Sequence, residues 1–298
     1  MEPWRCLSTS SITKTTTTTT KSPTQSPYLQ QLFGLEGRSA IITGGGTGIG
    51  AALAMGLARS GARVILTGRR EGPLQTSCAA IQAQLARDGF QDVSDRAVAI
   101  PCDITKFDQL PGLVESAGSL SGIPPTILIN NAGVNVRQTA AALEAHHWHQ
   151  SLDLMLTAPF ELTRALSDNF GSQEYGRVIS MASLQSFRAF PDSIPYAAAK
   201  SGVLGLTRAL SEAYSPAAGF TGVTCNAVAP GYVKTELTAK VFADKDRSQK
   251  LADATLLGRN SVPDDLVGAV IFLASPASAY VTGQTLPVDG GFTALGLR

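Results

Sequence analysis

Residues 43–50 read TGGGTGIG, from Thr43 to Gly50, and this stretch decides how the chain is read. It follows an apolar run, SAIIT (39–43), and leads into ALAMGLARSG (52–61), which has the residue types of a helix. The order is therefore strand, glycine-rich turn, helix. Glycines permit the tight turn and let backbone N–H groups approach a pyrophosphate, whose charge suits a helix N-terminus. A bland alternative is a turn that needs glycine only for its shape. The flanking strand and helix favour nucleotide binding.

Outward from the turn, apolar strands recur at ARVILTG (62–68), RAVAIPCDI (96–104), TILIN (126–130), RVISMAS (177–183), GVTCNAVAPG (222–231) and QTLPVDGG (284–291). Helical stretches separate them: one through Ala80–Arg87, one around Trp148–Phe170, one holding IPYAAAKSGVLGLTRAL (194–210), and PDDLVGAVIFLAS (263–275). Residues Val233–Leu257 form a variable segment. Strands that alternate with helices and are almost continuously apolar predict an α/β doubly wound parallel sheet covered on both faces. One domain over residues 31–298 is expected, with no internal repeat.

Composition agrees with such a domain. The chain has 298 residues, 44% hydrophobic and 16% charged, with a formal net charge of +1, so a polyanionic partner such as nucleic acid is not implied. No apolar run reaches the ~20 residues that span a bilayer, so no membrane partner is expected. Cys6, Cys78, Cys102 and Cys225 are scattered without metal or disulfide spacing, which favours a reducing compartment. Residues 1–30, with six consecutive threonines and two Ser-Pro steps, are read as a disordered Ser/Thr-rich tail. The low acid content and the basic residues Arg5, Lys14 and Lys21 leave an organelle transit peptide as the alternative. The location expected is cytoplasmic, with mitochondrial as the alternative. His146, His147 and His149 lack further ligands at suitable spacing, so they are read as a solvated helix face and no metal is expected.

The spacing of Thr43, Gly44, Gly48 and Gly50 resembles the TGxxxGxG signature of the classical short-chain dehydrogenase/reductase family. Its other marks follow in order: Asn130-Asn131-Ala132-Gly133, Ser183 thirteen residues before Tyr196, Tyr196-x-x-x-Lys200, and Pro230-Gly231. The resemblance covers Leu35 to the C-terminus. It implies a single Rossmann-type domain of about seven strands, an NADP(H)- or NAD-dependent oxidoreductase, and a homotetramer or dimer. By the same resemblance Ser183, Tyr196 and Lys200 are catalytic. Thr43, Gly44, Gly48, Ile49, Gly50, Asp103, Ile104, Asn131, Ala132, Gly133, Val233 and Thr235, with Tyr196 and Lys200, belong to the cofactor set. Asp103 touches the adenine in this family; a helix N-cap is the bland alternative.

Tyr196 and Lys200 stand at i and i+4, so they share one helix face. A free tyrosine titrates near ~10. An ammonium beside it, with the positive ring of an oxidised nicotinamide, is expected to lower that value and let the phenol exchange a proton with a substrate oxygen. Ser183 would hold the same oxygen. Isolated, the pair would be an ordinary helical contact; with Ser183 and the glycine turn it is read as catalytic.

At the end of the second strand an acid would hydrogen-bond the ribose of NAD, whereas an arginine accommodates the 2′-phosphate of NADP. Here Gly68 is followed by Arg69 and Arg70, and a guanidinium fork suits phosphate. The cofactor expected is NADP(H), read by Arg69.

The family has a fourth catalytic residue, an asparagine on the helix after NNAG that helps hold a water linking the lysine to solvent. Aligning WHQSLDLMLTAPF (148–160) places Met155 there. Methionine has no donor and only a weak acceptor. Two readings follow: a working reductase whose proton path uses other waters, or a cofactor-binding protein with a weak or non-redox role.

RVISMASLQSF, NAVAPGYVKTEL and LASPASAYVTGQTLPVDGG look closest to the branch of 2-deoxy-D-gluconate 3-dehydrogenase and gluconate 5-dehydrogenase. The substrate expected is a small carbonyl or alcohol: a sugar acid, polyol or ketose. The alternative is a 3-oxoacyl or polyketide-type ketoreductase. Arg137 could hold a sugar-acid carboxylate or be a surface charge, and Gln185 and Tyr232 complete the substrate set. Phe187, Phe190 and Tyr232 could form an apolar wall.

Overall fold

A computed structural model describes residues 26–296. Seven strands form one parallel sheet in the order β3-β2-β1-β4-β5-β6-β7. They are β1 Ser39–Thr43, β2 Arg63–Gly68, β3 Ala97–Pro101, β4 Ile127–Asn130, β5 Gly176–Met181, β6 Val223–Pro230 and β7 Thr285–Val288. The strand order reverses between β1 and β4, where the chain leaves one half of the sheet for the other. This is the place where a doubly wound sheet opens a crevice at the carboxyl ends of its strands.

The continuous apolar runs are explained by two cores, one on each face. Ala40, Ile42, Val64, Leu66, Ile127 and Ile129 enter one core, with α2 (Gly48–Arg59), α3 (Glu71–Arg87) and α11 (Val267–Ala274). Ile41, Ile65, Leu128 and Val178 alternate with them into the other, with α4 (Leu110–Ser121), α6 (Ala158–Ala165), α7 (Ser167–Gln173) and α8 (Ile194–Ala213). A strand buried on both sides has no polar face, so its period-2 pattern disappears.

Three expectations need correction. The tail read over residues 1–30 ends earlier than expected: Pro27–Phe33 form α1, with proline in its first turn, resting on the 3₁₀ turn Pro276–Ser278. The disorder and transit-peptide readings otherwise fall on residues 1–25, outside the described residues. The single helix expected over Trp148–Phe170 is broken into α5 (Ala145–Leu152), a π turn (Asp153–Thr157), α6 and α7. Pro159 has no N–H to give the carbonyl of Met155 four residues earlier, and the ladder widens there. The variable segment contains two short helices, α9 (Ala239–Ala243) and α10 (Lys245–Asp253). Among the described residues no helix is long and apolar enough to cross a membrane.

Candidate active site

The crevice at the strand ends holds a cavity of about 570 Å³. Its floor is the turn between β1 and α2. Gly44 and Gly48 have φ of +66° and +55°, conformations that side chains with a Cβ rarely adopt. The N-cap Thr47 makes no side-chain capping bond, so the first N–H groups of α2 face the crevice without a side-chain partner. Gly50 is not on the cavity wall. It lies buried beneath the turn, where a Cβ would come within 2.2 Å of the Gly44 carbonyl oxygen and 2.6 Å of the Asn131 amide nitrogen. Its part is to let α2 pack closely on the turn.

Thr43 and Asn131 tie the switch point together. The Asn131 and Ala132 N–H groups donate to Thr43 Oγ1 at 2.9 and 3.0 Å, and Asn131 Nδ2 donates to the Thr43 carbonyl at 2.9 Å. Thr43, Asn131, Ala132 and Gly133 line the cavity with Ile49, Ile104, Val233 and Thr235, as the sequence led us to expect. Thr47, Leu74, Thr105 and Leu237 also line it; they carry no motif of their own and were missed.

Arg69 and Arg70 stand at the cavity mouth, just past β2. Arg70 reaches across to Glu236 at 3.8 Å, both side chains being well exposed. Arg69 forms no ion pair with any described residue. Asp103 lies two residues beyond β3 rather than at its end, and is not a helix cap. It accepts from the Thr105 N–H and hydroxyl at 3.1 and 2.8 Å. Burial raises its carboxyl, but these two bonds, with Arg69 and Lys106, outweigh it and hold the group below the usual carboxylate range.

Ser183, Tyr196 and Lys200 come together on the far wall. Ser183 lies two residues past β5 and caps the 3₁₀ turn Leu184–Ser186, its Oγ accepting from the Gln185 N–H at 3.1 Å. The Tyr196 phenol shares this wall with the Ser183 hydroxyl, which favours its ionised form. Lys200, one turn further along α8, is 4% exposed and donates to the Met181 carbonyl at 2.6 Å. Its Nζ lies 5.7 Å from the centre of the Tyr196 ring. Burial without a carboxylate partner lowers the Lys200 ammonium to about 8. The phenol departs from expectation: burial raises it, and the neighbouring Ser183 hydroxyl only partly offsets this. A lysine already disfavoured as a cation exerts little pull, so a lowered phenol must wait for a further positive charge in the cavity.

Ser186 was also missed. Its hydroxyl accepts from the Ser183 N–H at 3.2 Å and donates to the Lys200 carbonyl at 2.6 Å. The Ser-x-x-Ser spacing is that of a capping box and was the available signal.

A second cavity of about 550 Å³ lies on the other side of Ser183 and Tyr196, which line both. Arg137, Gln185 and Tyr232 all line it, with Phe190. Tyr232 meets Phe190 and Phe292 edge-on at 6.0 Å each. Phe187 does not line it and is 47% exposed. Met155 lines neither cavity. It is 1% exposed in the π turn, with its sulfur beneath Gly133. His147 Nδ1 lies 2.9 Å from Gln138 Oε1, and His146 faces Glu144.

The sequence model of the family described as Enoyl-(Acyl carrier protein) reductase matches residues 44–293. The 2-dehydro-3-deoxy-D-gluconate 5-dehydrogenase of Escherichia coli K12 is 35% identical over 88% of this chain and 98% of its own length. Gluconate 5-dehydrogenase of Gluconobacter oxydans is 35% identical over 88% and 97%. A crystal structure of a gluconate 5-dehydrogenase from Burkholderia cenocepacia, in complex with NADP and tartrate, superposes with a TM-score of 0.79 at 34% identity, over 90% of this chain and all of that one. The glycine turn, the strand order with its reversal beside that turn, and the Ser183–Tyr196–Lys200 wall therefore have one common source: the chain belongs to the short-chain dehydrogenase/reductase family.

Proposed function

We propose that the chain interconverts a ketone and a secondary alcohol on a polyhydroxy acid, with NADP(H) as the hydride carrier. It is an oxidoreductase acting on CH–OH groups. The observation that carries the reading is the wall shared by the two cavities. One cavity has a glycine cradle and an open helix N-terminus; the other has Arg137, Gln185 and Tyr232; Ser183 and Tyr196 face both.

The residues present fit NADP(H). The α2 N-terminus and the turn suit its pyrophosphate, and Arg69, without an ion pair among the described residues, suits its 2′-phosphate. When bound, the cofactor supplies or accepts the hydride. Ser183 holds the substrate oxygen by hydrogen bond. Tyr196 gives that oxygen a proton in reduction and takes it back in oxidation. Lys200, fixed by the Met181 carbonyl, stands one helical turn from the phenol, and the positive ring of the oxidised cofactor would supply the further charge that lowers it. In this reading Asp103 meets the adenine and Val233 and Thr235 meet the nicotinamide end; that all three line the first cavity supports it. Arg137 holds the acid's carboxylate. The NADP and tartrate of the Burkholderia structure support both halves of this reading, because tartrate is a hydroxy acid.

A second reading, reduction of a less polar 3-oxoacyl carbonyl, is favoured by the aromatic cluster of Phe190, Tyr232 and Phe292. The deciding experiment follows nicotinamide absorbance with NADPH or NADH against keto-sugar acids, ketoses and 3-oxoacyl thioesters. Turnover of keto-sugar acids with NADPH is expected. Turnover of thioesters alone would move the assignment to the second reading.

A further inference from the structure

The second cavity carries more positive charge than one carboxylate needs. Arg137, Lys240 and Arg247, all three exposed to solvent, line it, and among the described residues no aspartate or glutamate does. None of the three forms an ion pair with a described residue. They come from different parts of the chain: Arg137 from the loop after β4, Lys240 from α9, and Arg247 from the first turn of α10. The start of α10 is fixed by Asp244, whose Oδ1 accepts from the Arg247 N–H at 3.0 Å. Arg137 and Arg247 both act on the Tyr232 phenol, which burial raises and the two guanidinium groups pull back. The two arginines therefore bring positive charge to the cavity of Tyr232 from separate elements.

Gln185 adds an independent sign of a ligand. It is 9% exposed, and its Oε1 has no hydrogen-bond partner. A buried acceptor left without a donor is costly, and Gln185 lines the second cavity two residues after Ser183. A hydroxyl on the carbon beside the reacting one would satisfy it.

We propose that the preferred substrate is a polyhydroxy keto acid with two anionic groups, one toward each end of its carbon chain. Arg137 holds the first. Arg247 and Lys240 hold the second, a carboxylate or a phosphate, and Gln185 accepts from the hydroxyl between them. Guanidinium groups suit the planar or forked geometry of either anion, and the Lys240 ammonium adds an adaptable point charge. This rests on the sugar-acid reading above and extends it to a second charge.

The test uses the NADPH-loaded chain and four unreactive six-carbon probes: sorbitol, gluconate, glucarate and 6-phosphogluconate. Their affinities are measured by titration calorimetry. Glucarate or 6-phosphogluconate is expected to bind at least about tenfold more tightly than gluconate, a step that corresponds to one added charged hydrogen-bonded contact. Whichever of the two leads identifies carboxylate or phosphate as the second group. Arg247→Gln should reduce the ratio of that ligand's affinity to gluconate's to about one, with unchanged thermal stability. Equal affinities for gluconate and both doubly charged acids would overturn the proposal, as would a loss on Arg247→Gln that is the same for every acid. Sorbitol binding as well as gluconate would overturn the sugar-acid reading itself, and this inference with it.

Discussion

Ser186 and Lys200 are joined by a 2.6 Å hydrogen bond from the serine hydroxyl to the lysine carbonyl, and the same hydroxyl receives the Ser183 N–H. The turn that carries Ser183 is thereby fastened to the helix that carries Tyr196 and Lys200. Ser186 touches neither cavity, so it is a positioning residue. Ser186→Ala should lower kcat roughly tenfold or more, because small misplacements of reacting groups are expensive. NADPH affinity should stay within experimental error. Ser186→Thr, which keeps the hydroxyl, should restore most of kcat. A loss of stability with no change in kcat would show that the bond only braces the fold.

The proton donor proposed above is Tyr196, which lines the cavity wall beside Ser183. Tyr196→Phe removes the hydroxyl and leaves the ring. Turnover should fall by roughly 10²–10⁴, the usual worth of a positioned acid or base. NADPH binding, followed by fluorescence, should persist. A protein that binds cofactor for a non-redox purpose would show no such dependence on Tyr196.

Arg69 and Arg70 are adjacent in sequence but differently engaged. Arg70 faces Glu236 across the cavity mouth, and Arg69 has no acid partner among the described residues. Arg69→Ala should weaken NADPH by about tenfold or more, the scale of a charge-assisted contact, and leave NADH unchanged. Arg70→Ala should have the smaller effect. Equal losses for NADPH and NADH would mean that neither arginine reads the 2′-phosphate.

Lys200 makes stability depend on pH in a direction set by its burial. An unfolded lysine titrates at 10.5, and this one at about 8. Between these values the unfolded chain binds a proton that the folded chain does not. Stability of the cofactor-free chain should therefore rise with pH across this window, and the penalty is complete below about 8. Lys200→Met should be the more stable protein near neutral pH, by on the order of 3 kcal/mol. The difference should shrink toward zero as pH approaches the unfolded value. Denaturant titrations of both proteins at the two ends of the window measure this, and a gain independent of pH would refute it.

The fold was legible because its strands are buried on both faces and read as apolar runs set between helices. β1 and β4 needed no more than SAIIT and TILIN. The cofactor wall was legible because close backbone approach demands glycine and the ordered motifs sit at strand ends. What the sequence concealed depends on elements meeting in space. Ser186 acquires its role only when α8 lies against the turn after β5. Lys240 and Arg247 are exposed charges, and only the placing of α9 and α10 brings them to the second cavity. The break at Met155 was hidden because the apolar pattern runs on through it, although Pro159 marked the place.

By the resemblance of WHQSLDLMLTAPF to the family pattern, Met155 stands where a catalytic asparagine is expected, and the fold buries it in the π turn beneath Gly133. A thioether cannot donate a hydrogen bond and accepts one only weakly, so the side chain cannot help hold a water near Lys200. If proton return to Tyr196 limits turnover, Met155→Asn should raise kcat severalfold with a good substrate. The same change places an amide in a buried site and should cost about 1–3 kcal/mol of stability unless its polar atoms find partners. Ser151, one turn earlier on α5, has a buried hydroxyl without a partner, the kind of group a new amide could satisfy. Steady-state kcat and thermal melting of the variant separate the two effects. A kcat that is unchanged or lower would show that the proton path does not run through this position, and that the chain works with methionine as it stands.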